Sequence, residues 1–157
     1  AVRSSIGGLR SLLVDLYPPS LSDAGLAAAL NDLAVQATSG GLRVVVDVDE
    51  GTAECLDADQ QRLVHRVSQE CLRNAAKHAP AAEVTVSLRL VGEDVVLQVG
   101  DNGPGFDADT ALAAPREGHF GLRVLGDLVA ATGGRLELAT ARGHGTRWRL
   151  TLPKRNT

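Results

Sequence analysis

Aromatic residues are scarce, at 3% of the chain. A core built from this sequence must therefore be packed with Leu, Val and Ala. Cysteine is scarcer still: Cys55 and Cys71 stand alone, with no C-x-x-C pair. That excludes a zinc ribbon or a disulfide scaffold and leaves two small apolar residues in a reducing compartment. No apolar run approaches membrane-spanning length, and no signal peptide is visible. Charge of one sign is also missing. Sixteen Lys and Arg face nineteen Asp and Glu, a net charge of -3, which argues against a general nucleic-acid binder. There is no internal repeat, no low-complexity tract and no regular strand–helix–strand alternation, so a Rossmann-type sheet is not expected. What remains is a chain of 157 residues, 44% hydrophobic and 22% charged, the size and profile of one globular domain. It begins at Ala1, and we expect it to be a segment of a longer protein.

The periodicities give a coarse plan. Leu9, Leu12, Leu13 and Leu16 form a stripe that predicts a helix over 3–16, ended by Tyr17-Pro18-Pro19. Ser22 or Asp23 is placed to cap a second helix through about Ala37, with Leu26, Ala29, Leu30 and Leu33 inward and Gly40-Gly41 as its stop. The β-branched run LRVVVDV (42–48) predicts a strand. Asp57 and Gln60 have the spacing of a capping box and open the longest helix, about 57–79, whose apolar stripe is Val64, Val67, Cys71 and Ala75. Residues 83–90 alternate, putting Val84, Val86, Leu88 and Leu90 on one face, and DVVLQVG returns after the turn at Gly92-Glu93-Asp94. Residues 107–118 carry no period. A helix over about 120–132 stops at Gly133-Gly134, and RLELAT and TRWRLTLP close the chain as strands, with Trp148, Leu150 and Leu152 on one face. The expected fold is α+β: a two-layer sandwich, with helices covering one face of a mixed, mostly antiparallel sheet.

Four short stretches carry chemistry. In QECLRNAAKHA (69–79), Glu70, Asn74 and His78 recur every four residues and share a helix face, with Lys77 beside them. That face lies about a quarter turn from the apolar stripe, so one side of the helix can pack while its neighbour lines a groove. An amide oxygen suits a hard cation, an ammonium suits phosphate, and a carboxylate can take or orient a proton. Taken alone, this face reads better as a solvated one with i,i+4 contacts. DNGPGFD (101–107) follows a strand, and Gly103 and Gly105 allow conformations and close approaches that a Cβ forbids. It lacks the third glycine of a dinucleotide fingerprint and the spacing of a calcium loop, and alone it is a tight turn. GHFGL (118–122) puts glycines at a helix start, where free amides attract anions, and GHGT (143–146) makes a glycine-rich hairpin.

In this order the four stretches resemble the N, G1, G2 and G3 boxes of the ATP-binding domain shared by histidine kinases, DNA gyrase, Hsp90 and MutL, over roughly residues 22–153. The lead-in LRSLLVDLYPPSLSDAGLAAAL and the run NAAKHA are most similar to sensor histidine kinases that pair with NarL-type response regulators. The resemblance implies a Bergerat-type ATP-binding fold with ATP and Mg²⁺ as ligands. Asp101 would accept from the adenine amino group, with Gly103 and Gly105 letting backbone approach the base. Asn74 would ligate Mg²⁺, Lys77 would meet phosphate, and His78 would lie near ribose or phosphates. Glu70 would polarise or deprotonate the attacking group. Gly118, His119, Gly121 and Leu122 would serve the lid and the helix start beneath the phosphates, and Gly143, Gly145 and Thr146 the adenine side.

The implied organisation is a dimerisation-helix stub and linker at 1–20 and a catalytic domain at 21–157, with an ATP lid at about 107–118. The implied reaction moves the γ-phosphate to a histidine on an upstream dimerisation helix of the same kinase, then to a response-regulator aspartate. None of His65, His78, His119 or His144 stands in an acceptor context, so self-phosphorylation of this chain is not expected. We expect a cytoplasmic domain, monomeric or weakly dimeric by itself, from a homodimeric parent that is membrane-anchored or soluble, with no nucleic-acid partner. An anti-sigma-type serine kinase, a gyrase- or Hsp90-like ATPase, and a degenerate interaction module are the alternatives.

Overall fold

The computed structural model describes residues 25–78, 83–105 and 119–155, with side chains from 125 onward in the last segment. The expected helix at 3–16, its Pro-Pro stop and the loop at 107–118 lie outside the described residues. In chain order the elements are α1 (Leu26–Ser39), β1 (Arg43–Val48), a short 3-10 turn (Ala53–Cys55), α2 (Ala58–His78), β2 (Glu83–Val91), β3 (Asp94–Asp101), α3 (His119–Ala131), β4 (Arg135–Thr140) and β5 (Thr146–Pro153). The strands form one sheet in the order β1-β2-β3-β5-β4. Only β1 and β2 run parallel, joined through α2; every other pair is antiparallel. The expected mixed, mostly antiparallel sheet under a helical layer is what forms.

Local chemistry sets the boundaries. The capping box at the head of α2 closes in both directions: Gln60 N–H donates to Asp57 Oδ1 (2.8 Å) and Asp57 N–H to Gln60 Oε1 (3.0 Å). The Gln60 amide also donates to the Pro153 carbonyl at 2.8 Å, tying the start of α2 to the end of β5. Helix α1 ends in a Schellman arrangement, with Leu42 N–H on the Ala37 carbonyl (3.1 Å) and Gly41 at φ 103. Its beginning differs from expectation. Neither Ser22 nor Asp23 is the cap; Gly25 holds that position at φ 89, with no side-chain cap bond. A glycine reaches that backbone angle without a steric penalty, and it costs little as an N-cap.

The inner face of the sheet buries Val84, Val86, Leu88, Val95, Leu97, Val99, Leu150 and Leu152 against Leu26, Leu30, Val64, Val67, Cys71 and Val129 of the helices. Leu90 departs from the expected pattern, since 42% of it is exposed. Strand β1 stops at Val48, opposite Leu88, so among the described residues no strand flanks Leu90 on that side. The outer face carries no helix among the described residues and presents Thr85, Gln98, Arg147 and Arg149. Among the described residues no helix is long and apolar enough to cross a membrane.

Candidate nucleotide site

Helix α2 lies on the sheet with the stripe Val64, Val67, Cys71 and Ala75 buried, as its spacing predicts. The helix also buries polar side chains, among them Glu70 and Asn74 beside that stripe, which are 3% and 6% exposed. They are treated very differently. Glu70 Oε1 is held by Arg73 at 2.9 Å and by Arg66 at 3.1 Å, both guanidinium groups reaching along the same helix. Asn74, one turn on, has neither its Oδ1 nor its Nδ2 in a hydrogen bond. An amide buried without partners loses its water bonds for nothing, at a cost of about 1–3 kcal/mol.

Asn74 faces a pocket between α2 and the sheet. Its polar rim is Asn74, His78, Asp101 and Thr146; Cys71, Ala75, Val99 and Trp148 supply apolar wall, and Gly105 closes one side. The spacing-derived partners Asn74 and His78 therefore meet Asp101, Gly105 and Thr146 at one place. Glu70 and Lys77 do not line this pocket. Glu70 sits a turn earlier with its arginines, and Lys77 is exposed. His119, Gly121 and Leu122 fall in the first turn of α3, but their side chains, like all of Gly118, lie outside the described residues. Gly143 is exposed at the hairpin tip. A wider concavity of about 660 Å³ lies on the outer face of the sheet and shares Asp101 and Thr146 with the pocket. It contains neither Asn74 nor His78, so the α2 constellation is absent from it.

Asp101 is the last residue of β3, in register with Val84 on one side and Thr146 on the other. The Gly103 N–H donates to its Oδ1 at 2.9 Å and so fixes the direction of the carboxylate. Asn102 braces the turn against β2: it accepts from the Glu83 N–H through Oδ1 (2.8 Å) and donates its own N–H to the Glu83 carbonyl (3.2 Å).

The glycines of the two loops have a use that the sequence did not reveal. A Cβ on Gly105 would stand 2.1 Å from the Ala141 carbonyl oxygen, and one on Gly145 would stand 2.1 Å from the Asp101 carbonyl oxygen. Both residues also hold positive φ, 64 and 74. The loops are interlocked, backbone against backbone, and Gly143 N–H donates to the Pro104 carbonyl at 2.6 Å. Much of the bareness of DNGPG thus serves contact with the 141–145 hairpin, and that contact positions Asp101.

Cys71 is the residue that motif reading passed over. It occupies the pocket wall three residues before Asn74. Burial pushes its thiol well above the ordinary range, and the carboxylates of Glu70 and Asp101 add to the shift. Strand alternation places Trp148 only on a face of the last strand, yet it is the largest side chain of the pocket wall. Register would have placed it, since Trp148 pairs with Val99, two residues before Asp101.

The fold and this site define a class of ATPase. Residues 58–156 match the family described as histidine kinase-, DNA gyrase B-, and HSP90-like ATPase, and the chain belongs to that family. It is 34% identical to the sensor histidine kinase NarS of Mycobacterium tuberculosis over 90% of this chain and 33% of that protein. It is 32% identical to the sensor histidine kinase MctS of Rhizobium johnstonii over 98% of this chain and 33% of that protein. The chain thus spans about a third of the length of these curated relatives. In fold it is similar to the histidine kinase domain of a blue-light activated kinase from Erythrobacter litoralis EL346, with a TM-score of 0.66 at 20% identity over 83% of this chain and 60% of that one. The histidine kinase AdeS of Acinetobacter baumannii gives a TM-score of 0.67 at 18% identity, over 98% of this chain and 82% of that one.

Proposed function

We propose that the chain binds ATP with Mg²⁺ in the pocket between α2 and the sheet. Within a longer, homodimeric sensor histidine kinase it would direct the γ-phosphate to a histidine on an upstream dimerisation helix. An aspartate of a NarL-type response regulator would be the next acceptor, and this part of the parent would lie in the cytoplasm. The observation that carries the reading is Asn74: a buried amide with no partner, in one pocket with Asp101, on a chain of the ATPase family.

The residues divide the work by chemistry. Asp101, oriented by the Gly103 N–H, accepts from the adenine amino group, while Cys71, Val99 and Trp148 offer apolar surface to the ring. Asn74 would hold Mg²⁺ through its amide oxygen, a donor suited to a hard cation, and the ion would supply neutralisation of phosphate charge. His78 lies at the same rim, beside the ribose or phosphates, and Lys77 reaches the phosphates from the solvent side. Gly118, His119, Gly121 and Leu122 belong to the lid and the helix start under the phosphates. Gly143, Gly145 and Thr146 back the adenine side. Glu70 polarises the attacking group, and its arginine pairs fix where its carboxylate stands. Phosphoryl transfer asks a protein chiefly for positioning and charge neutralisation, and this set of groups supplies both.

Calorimetric titration with ATP and ADP, with and without Mg²⁺, tests the reading. We expect Asp101→Ala to weaken both nucleotides by about tenfold to a hundredfold, the effect of stranding polar groups worth about 1–3 kcal/mol. Asn74→Ala should instead erase the Mg²⁺ increment and spare most of the ADP affinity. Supplying a dimerisation segment with its histidine should then yield phosphohistidine. Absence of binding by either nucleotide would leave the interaction-module alternative standing.

A further inference from the structure

Strand β1 is an edge of the sheet, and among the described residues no strand pairs with its outer side. The phase of that edge is fixed. Val48 is in register with Leu88, and the Asp49 N–H donates to the Leu88 carbonyl at 3.0 Å. Odd-numbered residues of β1 therefore aim their backbone groups at β2, and Val44 and Val46 aim theirs outward. The side chains of Arg43, Val45 and Asp47 lie on the open face and are exposed, whereas Val44 and Val46 turn toward the helical layer. Beside them runs a groove of about 370 Å³ between α1 and β1, lined in part by Ala34, Val35, Thr38, Val44 and Val46. Val35 and Val45 are 66% and 48% exposed, large apolar side chains at an edge that proteins ordinarily blunt.

We propose that this edge pairs antiparallel with the same edge of a second copy, about a two-fold axis through Val45. The sequence RVVVDV is complementary to itself in that register and in no neighbouring one. With Val45 on the axis, Val44 faces Val46 of the second copy, and these are the residues whose N–H and C=O point outward. The two-fold makes this contact twice, giving two hydrogen-bonded pairs. Arg43 then stands directly opposite Asp47 of the second copy, in a non-hydrogen-bonded position where side chains approach most closely, and the symmetry repeats that contact too. Val45 meets Val45 between the two ion pairs. Shifting the axis to Val44 or to Val46 sets a charged residue against Val45 instead. The charges are free to reach across: the Arg43 side chain is 80% exposed and that of Asp47 is 53% exposed. Within one copy they touch Glu83, at 3.8 Å, and Arg89, contacts at the surface that a partner can share. On the inner side the paired strands prolong the α1–β1 groove, so that Val35 gains a covering it lacks in the single chain.

Sedimentation velocity on the full chain, from micromolar to millimolar concentration, tests the proposal. The wild type should show a reversible monomer–dimer equilibrium. Arg43→Asp and Asp47→Arg each replace two attractive cross-strand pairs by two repulsive ones and should raise the dimer dissociation constant by about tenfold or more. An equimolar mixture of the two variants should associate again, because each copy then offers the other two opposite-charge pairs. The double exchange Arg43→Asp/Asp47→Arg should dimerise as the wild type does, although it breaks both intrachain contacts and so lowers the melting temperature slightly. A chain that stays monomeric at the highest concentration overturns the proposal. So does a dimer that ignores the single exchanges, or a mixture no more associated than its components.

Discussion

Two successive turns of α2 bury polar side chains, and they do so in opposite ways. Around Glu70 the helix supplies its own answer: Arg66 and Arg73, four residues before and three after, converge on one carboxylate oxygen. Around Asn74 it supplies none, and both amide atoms are left without a hydrogen bond. The first turn is complete as it stands. The second leaves two buried polar atoms without a hydrogen bond, a loss that proteins tolerate at sites where a ligand recovers it. The contrast separates a group held in place by the fold from a group the fold leaves unbonded.

The largest expected effect lies at the satisfied turn. Glu70→Ala leaves Arg66, whose side chain is 15% exposed, next to an emptied position, while Arg73 is half in solvent and loses little. We expect a loss of about 2–3 kcal/mol in urea denaturation of the nucleotide-free chain. Asn74→Leu should act in the other direction. Removing an unsatisfied amide in favour of an apolar group of similar shape should raise the stability of the free chain by about 1 kcal/mol while abolishing the response to Mg²⁺. If that variant loses stability instead, Asn74 is a partnered structural residue and the contrast between the turns collapses.

The smallest effect belongs to Cys71, between the two. Its thiol is held neutral in the folded chain by burial, then by Glu70 and Asp101, so its pKa is raised relative to the unfolded chain. Stability from this source is intact below the unfolded value of about 8.5 and falls as the pH rises past it, by about 0.8 kcal/mol at pH 9. Melting temperatures of the wild type and Cys71→Ala across that range should diverge in slope, the variant having the flatter alkaline limb.

Most of the architecture was legible in the sequence because its signals are local. The Asp57–Gln60 box, the alternation of Val84, Val86 and Leu88, and the paired glycines after α1 and α3 each decide a boundary within a few residues. What escaped was one choice of cap and several non-local effects. Leu90 keeps the alternation yet is exposed, since its burial depends on where β1 ends. The start of α1 followed Gly25, where backbone freedom outweighed the better-known capping side chains upstream. For the site, helical spacing brought Asn74 and His78 together and set Glu70 on nearly the same face. Spacing alone could not show that two arginines claim Glu70, nor that Cys71 and Trp148 wall the pocket from different elements.

The interlocked loops have a consequence for how this chain can change over time. Gly105 and Gly145 each occupy space that belongs to the other loop's main chain, and Asp101 stands between them. Neither motif can drift alone. A residue added to the 141–145 hairpin, remote in sequence from the carboxylate, would re-aim that carboxylate as surely as a change beside it. On the proposed reading of Asp101, a chimera that exchanges only one of the two loops with a relative should lose adenine selectivity even where every individual residue is acceptable.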